Sequence, residues 1–507
     1  MEKKIIKIFI FLFFINQGYS QKYDYNWILG HNSKIGDTIR GGNNIDFNIK
    51  PLKPYYVFRE MNMYVYNSSI SNSEGELQFY TNGCYIANKF DLKIENGDTI
   101  NPGKTYTNYC KTGGFGYPVN QSSFVIPSIK NKDEYYLIHK NLQLYLTLPY
   151  LLSDRLYMTK VDMSANQGKG KVIYKSKIIM KDSLGGGTFV GTKHADGKDW
   201  WLVTPKYLSN KYYVFRFSDG IIKDTSLQTI GVKETEDGGF ACFSPDGSKY
   251  ARYEPFKQDQ LHLMDFDRST GKLSNFKYIY VSDYLTNAGC GVAFSPNSRY
   301  LYVSLAKYVY QFDTYAEDVE ASKVLVAEYD GFQAPFATNF HACQLGPDCR
   351  IYINSSNDVR YYHYIDKPDL KGTACNVVQH GLKLPTGHGI SIPYFPNYRL
   401  GTLDNPGFPC DSTLKTSTTS VGFASLFVPT MGISPNPSQG QFRLWLPENW
   451  QGERLNIINT NGQIVYSEKL DSSSQEYFIN SDLPQGLYLI QVLFQNGMMK
   501  TERLVID

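Results

Sequence analysis

The sequence predicts an all-β chain, a β-propeller of seven blades (six as the alternative) followed by a small immunoglobulin-like β-sandwich. Three observations carry this expectation. A turn motif recurs at a fixed spacing through the middle of the chain. Short runs rich in Tyr, Phe, Val and Ile alternate with Gly, Pro, Asn and Asp turns, and no window keeps a helical period beyond about two turns. The final stretch, 432–507, has a compact strand pattern of its own. The 507 residues, 42% hydrophobic and 20% charged, suffice for a large core and exclude global disorder. The net charge is only +3, and Lys3, Lys4 and Lys7 against Glu2 account for most of it. Nucleic acid is therefore not an expected partner.

The chain opens with a basic stretch, then the unbroken apolar run Ile8 to Ile15, then Gly18 and Ser20 three and one residues before a cleavage point at Gln21. The run is too short for a bilayer, which needs about 20 residues, and reads as a signal peptide over 1–20. No Cys follows the cleavage point, so no lipid anchor is expected, and no later segment is apolar enough to span a membrane. Export through the inner membrane is the expectation.

Eight cysteines lie after this segment, as suits an oxidising compartment. No CxxC or Cys/His zinc spacing is present, so no metal and no cofactor is expected. The local argument pairs Cys343 with Cys349 across the Leu345-Gly346-Pro347-Asp348 turn. The turn itself does not demand a Cys at 349, where the other repeats carry Gly247 and Ser298. Cys84 with Cys110, Cys242 with Cys290, and Cys375 with Cys410 complete the expected set.

The repeat is clearest at Cys242-Phe243-Ser244-Pro245-Asp246-Gly247 and Ala293-Phe294-Ser295-Pro296-Asn297-Ser298. Gln344-Leu345-Gly346-Pro347-Asp348-Cys349 is a degenerate third, so Pro245, Pro296 and Pro347 stand 51 residues apart. Ala195-Asp196-Gly197 precedes the first by 50, and weaker versions lie at Asn131-Lys132-Asp133 and Glu74-Gly75. Each site ends one strand and starts the next, and a period near 50 with several strands per unit is the mark of a propeller blade. A blade is packed on both faces, which accounts for doublets such as Trp200-Trp201 and for 15% aromatic residues. Six turn signals are visible. A seventh blade is expected from closure of the ring, with Trp27-Ile28-Leu29 pairing near Ile390-Ser391-Ile392. The propeller is thus expected over 21–410, a Ser/Thr-rich linker over 411–431, and the sandwich over 432–507, with Asn461-Gly462 as a two-residue hairpin turn and Asn496-Gly497 as another turn.

The recurring Phe-Ser-Pro-Asp-Gly resembles TolB-like and WD-like propellers. The ordered set Gly75–Gly83, His194–Trp201, Ala321–Ala327 and Phe395–Gly401 resembles more closely a group of exported propeller proteins of the Bacteroidetes. The C-terminal pieces are Ser434-Pro435-Asn436-Pro437 with Gly440, Asn459 to Tyr466 with Gly462, Leu483 to Tyr488 with Gly486, and the Arg503-Leu504-Val505-Ile506 end. In order and spacing they resemble the type A sorting domain of type IX secretion substrates. That resemblance implies the type IX secretion machinery as partner, passage through the outer membrane, and attachment to surface lipopolysaccharide or release.

No GxSxG, HExxH, Walker loop or dinucleotide fingerprint is present. Gly387-His388-Gly389-Ile390-Ser391 reads as a turn rather than a nucleophile elbow, and Asp265 to Gly271 as a turn rather than a calcium loop. His363, His380 and His388 are too loosely spaced to predict a metal, Asp196 to Trp200 has the wrong spacing for a sialidase box, and the aromatic residues are read as packing between blades. Catalytic residues are therefore unknown. The expectation is a non-catalytic, surface-displayed or secreted binding module for a protein or glycan. The alternative is a glycan lyase or hydrolase with acids in the central channel. Two nearby carboxylates there would favour the enzyme, and a channel filled with apolar side chains would count against it.

Overall fold

The computed structural model describes residues 21–34, 37, 39–144, 151–233, 238–254, 260–281, 290–415, 431–446, 451–471, 473–495 and 499–507. The signal segment, most of the linker and the Asn496-Gly497 turn lie outside them. The chain divides into two compact units, the larger ending at Thr416 and the smaller holding Ser417–Asp507.

The larger unit is a β-propeller. Among its described residues seven antiparallel sheets follow one another, each built from consecutive strands. Their first strands are Asn26–Gly30, Ser68–Ser71, Ser123–Pro127, Val190–Lys193, Phe240–Phe243, Cys290–Phe294 and Cys343–Leu345. Each of the six turn signals joins the first strand of a sheet to its second. The reason is visible at Ser244 and Asp246. The Ser244 hydroxyl accepts the Lys249 N–H at 2.9 Å, and the Asp246 carboxylate accepts the Ser248 N–H at 2.9 Å. The residue at the end of the motif takes a left-handed backbone: Gly247 at φ 74°, Ser298 at φ 62° and Cys349 at φ 65°.

Neighbouring sheets are glued by aromatic pairs. Phe79 meets Tyr135 at 5.6 Å, Tyr136 meets Phe217 at 5.4 Å, and Tyr212 meets Tyr250 at 5.8 Å. Trp200 and Trp201 are buried. The expected ring closure is corrected here. Trp27, Ile28 and Leu29 pair with Ile45, Asn44 and Asn43 inside a local N-terminal sheet, and Ile390–Ile392 belongs to no strand. The last sheet meets the first by packing: Trp27 lies edge-on to Tyr352 at 5.3 Å, and Asn43 exchanges hydrogen bonds with the Thr386 backbone.

Two disulfides are present, Cys84–Cys110 as expected and Cys349–Cys410, with Cα atoms 5.6 and 5.2 Å apart. The expected Cys343–Cys349, Cys375–Cys410 and Cys242–Cys290 bridges are therefore wrong, since Cys242, Cys343 and Cys375 are free thiols. Cys343 lies across from Ile353, four residues past Cys349, so the register keeps the two apart, and its Sγ lies 3.1 Å from the Ser304 hydroxyl. The linker also starts later than expected. The Asp411 N–H donates to the Pro347 carbonyl at 2.7 Å, and Leu414 packs on the propeller core.

The smaller unit has two sheets, one of Gly432–Ser434, Gln441–Trp445 and Glu476–Asn480, the other of Ile464–Lys469, Gly452–Ile458, Gly486–Phe494 and Met499–Ile506. Alternate residues such as Phe442, Leu444, Leu455, Ile457, Ile490 and Leu504 form its core. The Asn461-Gly462 hairpin is longer than expected. Its loop runs over 459–463, closed by the Asn459 carboxamide accepting the Gln463 N–H at 3.0 Å.

Candidate functional site

Residues of the first strands of several sheets, among them Gly191, Ala241, Val292 and Cys343, line an axial channel, and Tyr394–Asn397 and Arg399 of the chain itself line it with them. Ile390 to Leu400 runs through it alongside those strands. At one end Asn67, just before the second sheet, and Asn354, just after a strand of the last, hold Ser391: Asn67 donates to its hydroxyl at 2.9 Å and Asn354 to its carbonyl at 3.3 Å. Midway, the Gly191 N–H donates to the Tyr394 hydroxyl at 3.3 Å, and Gln344 holds the Phe395 backbone with both ends of its carboxamide, each at 3.3 Å. At the turn end, Asn397 donates to the Pro245 carbonyl at 2.8 Å and Tyr398 to the Val125 carbonyl at 2.7 Å. Ile392, Tyr394, Phe395, Tyr398 and Leu400 are all buried. Pro393 and Pro396 have no N–H to satisfy, so the segment can lie in the channel without a ladder.

The space left beside this plug is a cavity of about 60 Å³, lined among others by Asp24, Gln121, Thr192, Cys242, Ser244, Cys343 and Gln344. Among the described residues lining it, Asp24 is the only carboxylate, and it is locked to Arg399 by two hydrogen bonds of 2.9 and 2.5 Å. Burial pushes the Cys242 thiol up and the Cys343 thiol up to about 12, so both stay protonated and poorly nucleophilic. Near the turn end Lys193 is held down to about 8, chiefly by burial and then by the Arg268 guanidinium. Its ammonium donates to the Gln21 carboxamide at 3.1 Å, while Arg268 donates to the Lys193 and His194 carbonyls.

The motifs weighed from sequence sit as structural parts. Asp196 accepts the Lys198 N–H at 2.7 Å within its turn, and Asp199 pairs with Arg216 at 2.9 Å. Asp267 accepts the Ser269 N–H at 2.8 Å in a turn closed by Gly271 at φ 70°. His380 pairs with Asp330 at 2.9 Å and stacks on Phe332 at 4.2 Å, His363 accepts the His380 N–H at 3.1 Å, and His388 abuts Tyr362 at 5.0 Å. Among the described residues no group of three or more His, Cys, Asp or Glu side chains could hold a metal ion. Ser391, the serine of the elbow-like stretch, faces Asn67. The role of Phe395 to Arg399 escapes a reading of the sequence, although an apolar run broken by Pro393 and Pro396 is unfit for any ladder and so signals burial of another kind.

In the smaller unit Asn436, Ser438 and Gly486 meet the last strand, whereas Gly440 and Gly462 stand in turns elsewhere. The Asn436 carboxamide accepts the Val505 N–H at 2.8 Å and donates to the Arg503 carbonyl, and the Ser438 N–H donates to the Val505 carbonyl at 2.8 Å. Pro435 and Pro437 flank Asn436. Gly440 stands at φ 91°, where a Cβ would lie 2.4 Å from the Ser481 carbonyl oxygen, and Gly462 stands at φ 79°. Gly486 pairs with Ile506. The motif thus joins the start of the unit to its last strand.

No curated protein matches the chain as a relative. Among solved structures it is similar to a candidate 6-phosphogluconolactonase from Bacteroides uniformis, with 11% identity over 72% of this chain and 98% of that one, at a TM-score of 0.45. It is also similar to a Lactobacillus plantarum protein, with 14% identity over 72% and 98% and a TM-score of 0.43. The Dos1 propeller is similar at 8% identity over 68% and 75%, with a TM-score of 0.36. Residues 432–507 match the family described as the secretion system C-terminal sorting domain, so the chain carries such a domain.

Proposed function

We propose that this protein is a type IX secretion substrate whose propeller acts, on the cell surface or after release, as a non-catalytic binding module. The observation that carries the export half is the sorting-domain match over 432–507, whose Asn436 meets the last strand. A sorting domain implies recognition by the secretion machinery and delivery outside the cell. No helix among the described residues is long and apolar enough to cross a membrane. Attachment to surface lipopolysaccharide and an origin in the Bacteroidetes belong to the same reading.

The binding half is supported by the filled channel. A channel glycosidase needs two carboxylates flanking a sugar-sized space. Here Tyr394, Phe395 and Tyr398 take that space, and the one lining carboxylate is paired with Arg399. Binding of an outside protein or glycan by the intact chain is accordingly assigned to the outer surfaces of the propeller, the channel being filled by Ile390–Arg399. The test is a glycan array and hydrolysis screen on residues 21–415, a boundary that keeps Cys410 and the docked Leu414. Binding without turnover is expected. Turnover of a glycan, abolished by Asp24→Asn with the fold intact, would overturn the non-catalytic reading.

A further inference from the structure

We propose that the axial channel is a peptide-binding site, one that takes extended Pro-containing aromatic peptides and that the chain fills in cis with Ile390–Arg399. The segment is bound as a ligand is bound. It belongs to no strand, and its main chain is read by side chains rather than by a ladder. Gln344 grips the Phe395 N–H and C=O, Asn354 donates to the Ile390 and Ser391 carbonyls at 3.0 and 3.3 Å, and the Tyr362 hydroxyl donates to the Ser391 carbonyl. Side-chain amides aimed at peptide groups fix an extended backbone irrespective of its sequence. Side chains around the segment then select its own: Tyr394 beside Phe124 at 6.2 Å, Tyr398 against Trp200 at 5.6 Å, and Arg399 on Asp24.

The sheets do not depend on the segment for their ladders. The last strand of the last sheet ends at Lys383, and contact between the last and first sheets runs through Trp27, Tyr352, Asn43 and Thr386. The ladders of all seven sheets are complete before Ile390, and the Ile390–Arg399 segment adds side-chain packing and hydrogen bonds to them. In such an arrangement a segment can be exchanged for an equivalent one in trans. Tethering gives the cis copy an effective concentration on the order of millimolar, so it excludes outside peptides unless weakened.

The test uses the mature chain, residues 21–507, with its disulfides intact, and a fluorescein-labelled synthetic peptide of residues 388–401. The double variant Phe395→Ala/Tyr398→Ala weakens the cis segment. It is expected to take up the peptide saturably at one per chain, while the wild-type chain takes up none. Adding Gln344→Ala should weaken uptake at least tenfold, and a scrambled peptide should not bind. If the double variant does not fold alone, refolding it by dilution with the peptide should restore a folded monomer. A folded variant that ignores the peptide, equal binding of the scrambled peptide, or no rescue on refolding would each overturn the proposal. The assay is independent of glycan binding and of export, so its failure leaves those readings standing.

Discussion

Asp24 and Arg399 form the tightest anchor of the channel segment, with side chains only 8% and 7% exposed. Removing one member of a buried pair strands the other charge, which typically costs about 3–5 kcal/mol. Asp24→Ala should therefore lower stability by about that amount in denaturant titration, and a loss below about 1 kcal/mol would show that the pair is solvated. The repeat residue Phe294 is 2% exposed, so Phe294→Ala should cost about 3–5 kcal/mol. Phe243, its equivalent, is only partly buried against Tyr250 and Phe266, and its truncation should cost less. Four histidines, His139, His363 and His388 buried and His341 half-buried, set the response to acid. Burial lowers His139 and His388 to about 3 and His341 and His363 to about 4, so all stay neutral in the fold. In the unfolded chain they protonate near 6.5, so the unfolded state binds more protons below that pH. Their contribution is fully present above about pH 6.5 and is lost as the pH falls toward 4, by up to about 1.4 kcal/mol per histidine per pH unit. Denaturation midpoints that stay level from pH 7 to pH 4.5 would contradict this.

At the scale of elements, what could be read from sequence was what is local. The Phe-Ser-Pro turns, the strands they join and the Cys84–Cys110 bridge depend on residues close in the chain. Cys349 stands at a left-handed position that otherwise suits Gly, and it is disulfide-bonded. Its partner Cys410 lies 61 residues on, beyond the whole last sheet, where no turn geometry points. Closure of the ring is equally hidden from the sequence: Trp27 pairs with the nearby Gly42–Asp46 strand, and the last sheet meets the first through side chains far apart in the chain. The channel segment is not legible in the sequence, which points to Ile390–Ile392 as a closing strand, because its partners are side chains scattered over several sheets. Non-reducing peptide mapping checks the bridge directly. A Cys349–Cys410 linked peptide with Cys343 alkylated as a free thiol is expected, and a Cys343–Cys349 peptide would refute it. Cys410→Ser should cost about 2–4 kcal/mol by releasing a long closed loop.

On the scale of the whole molecule, the smaller unit is the sorting domain and the larger unit is the propeller exported with it. The Asn436 carboxamide couples the first motif of the sorting unit to its final strand, so loss of the last residues should disturb the whole address rather than its tip. The propeller, by contrast, keeps all its anchors before Thr416, including Cys410 and Leu414. The measurement that tests the central claim most directly is localisation of a chain lacking residues 432–507, produced in its own host, alongside the intact chain. The truncated chain should remain in the periplasm, folded and with its Cys349–Cys410 bridge formed, while the intact chain reaches the surface or the medium. Normal surface appearance of the truncated chain would contradict the account.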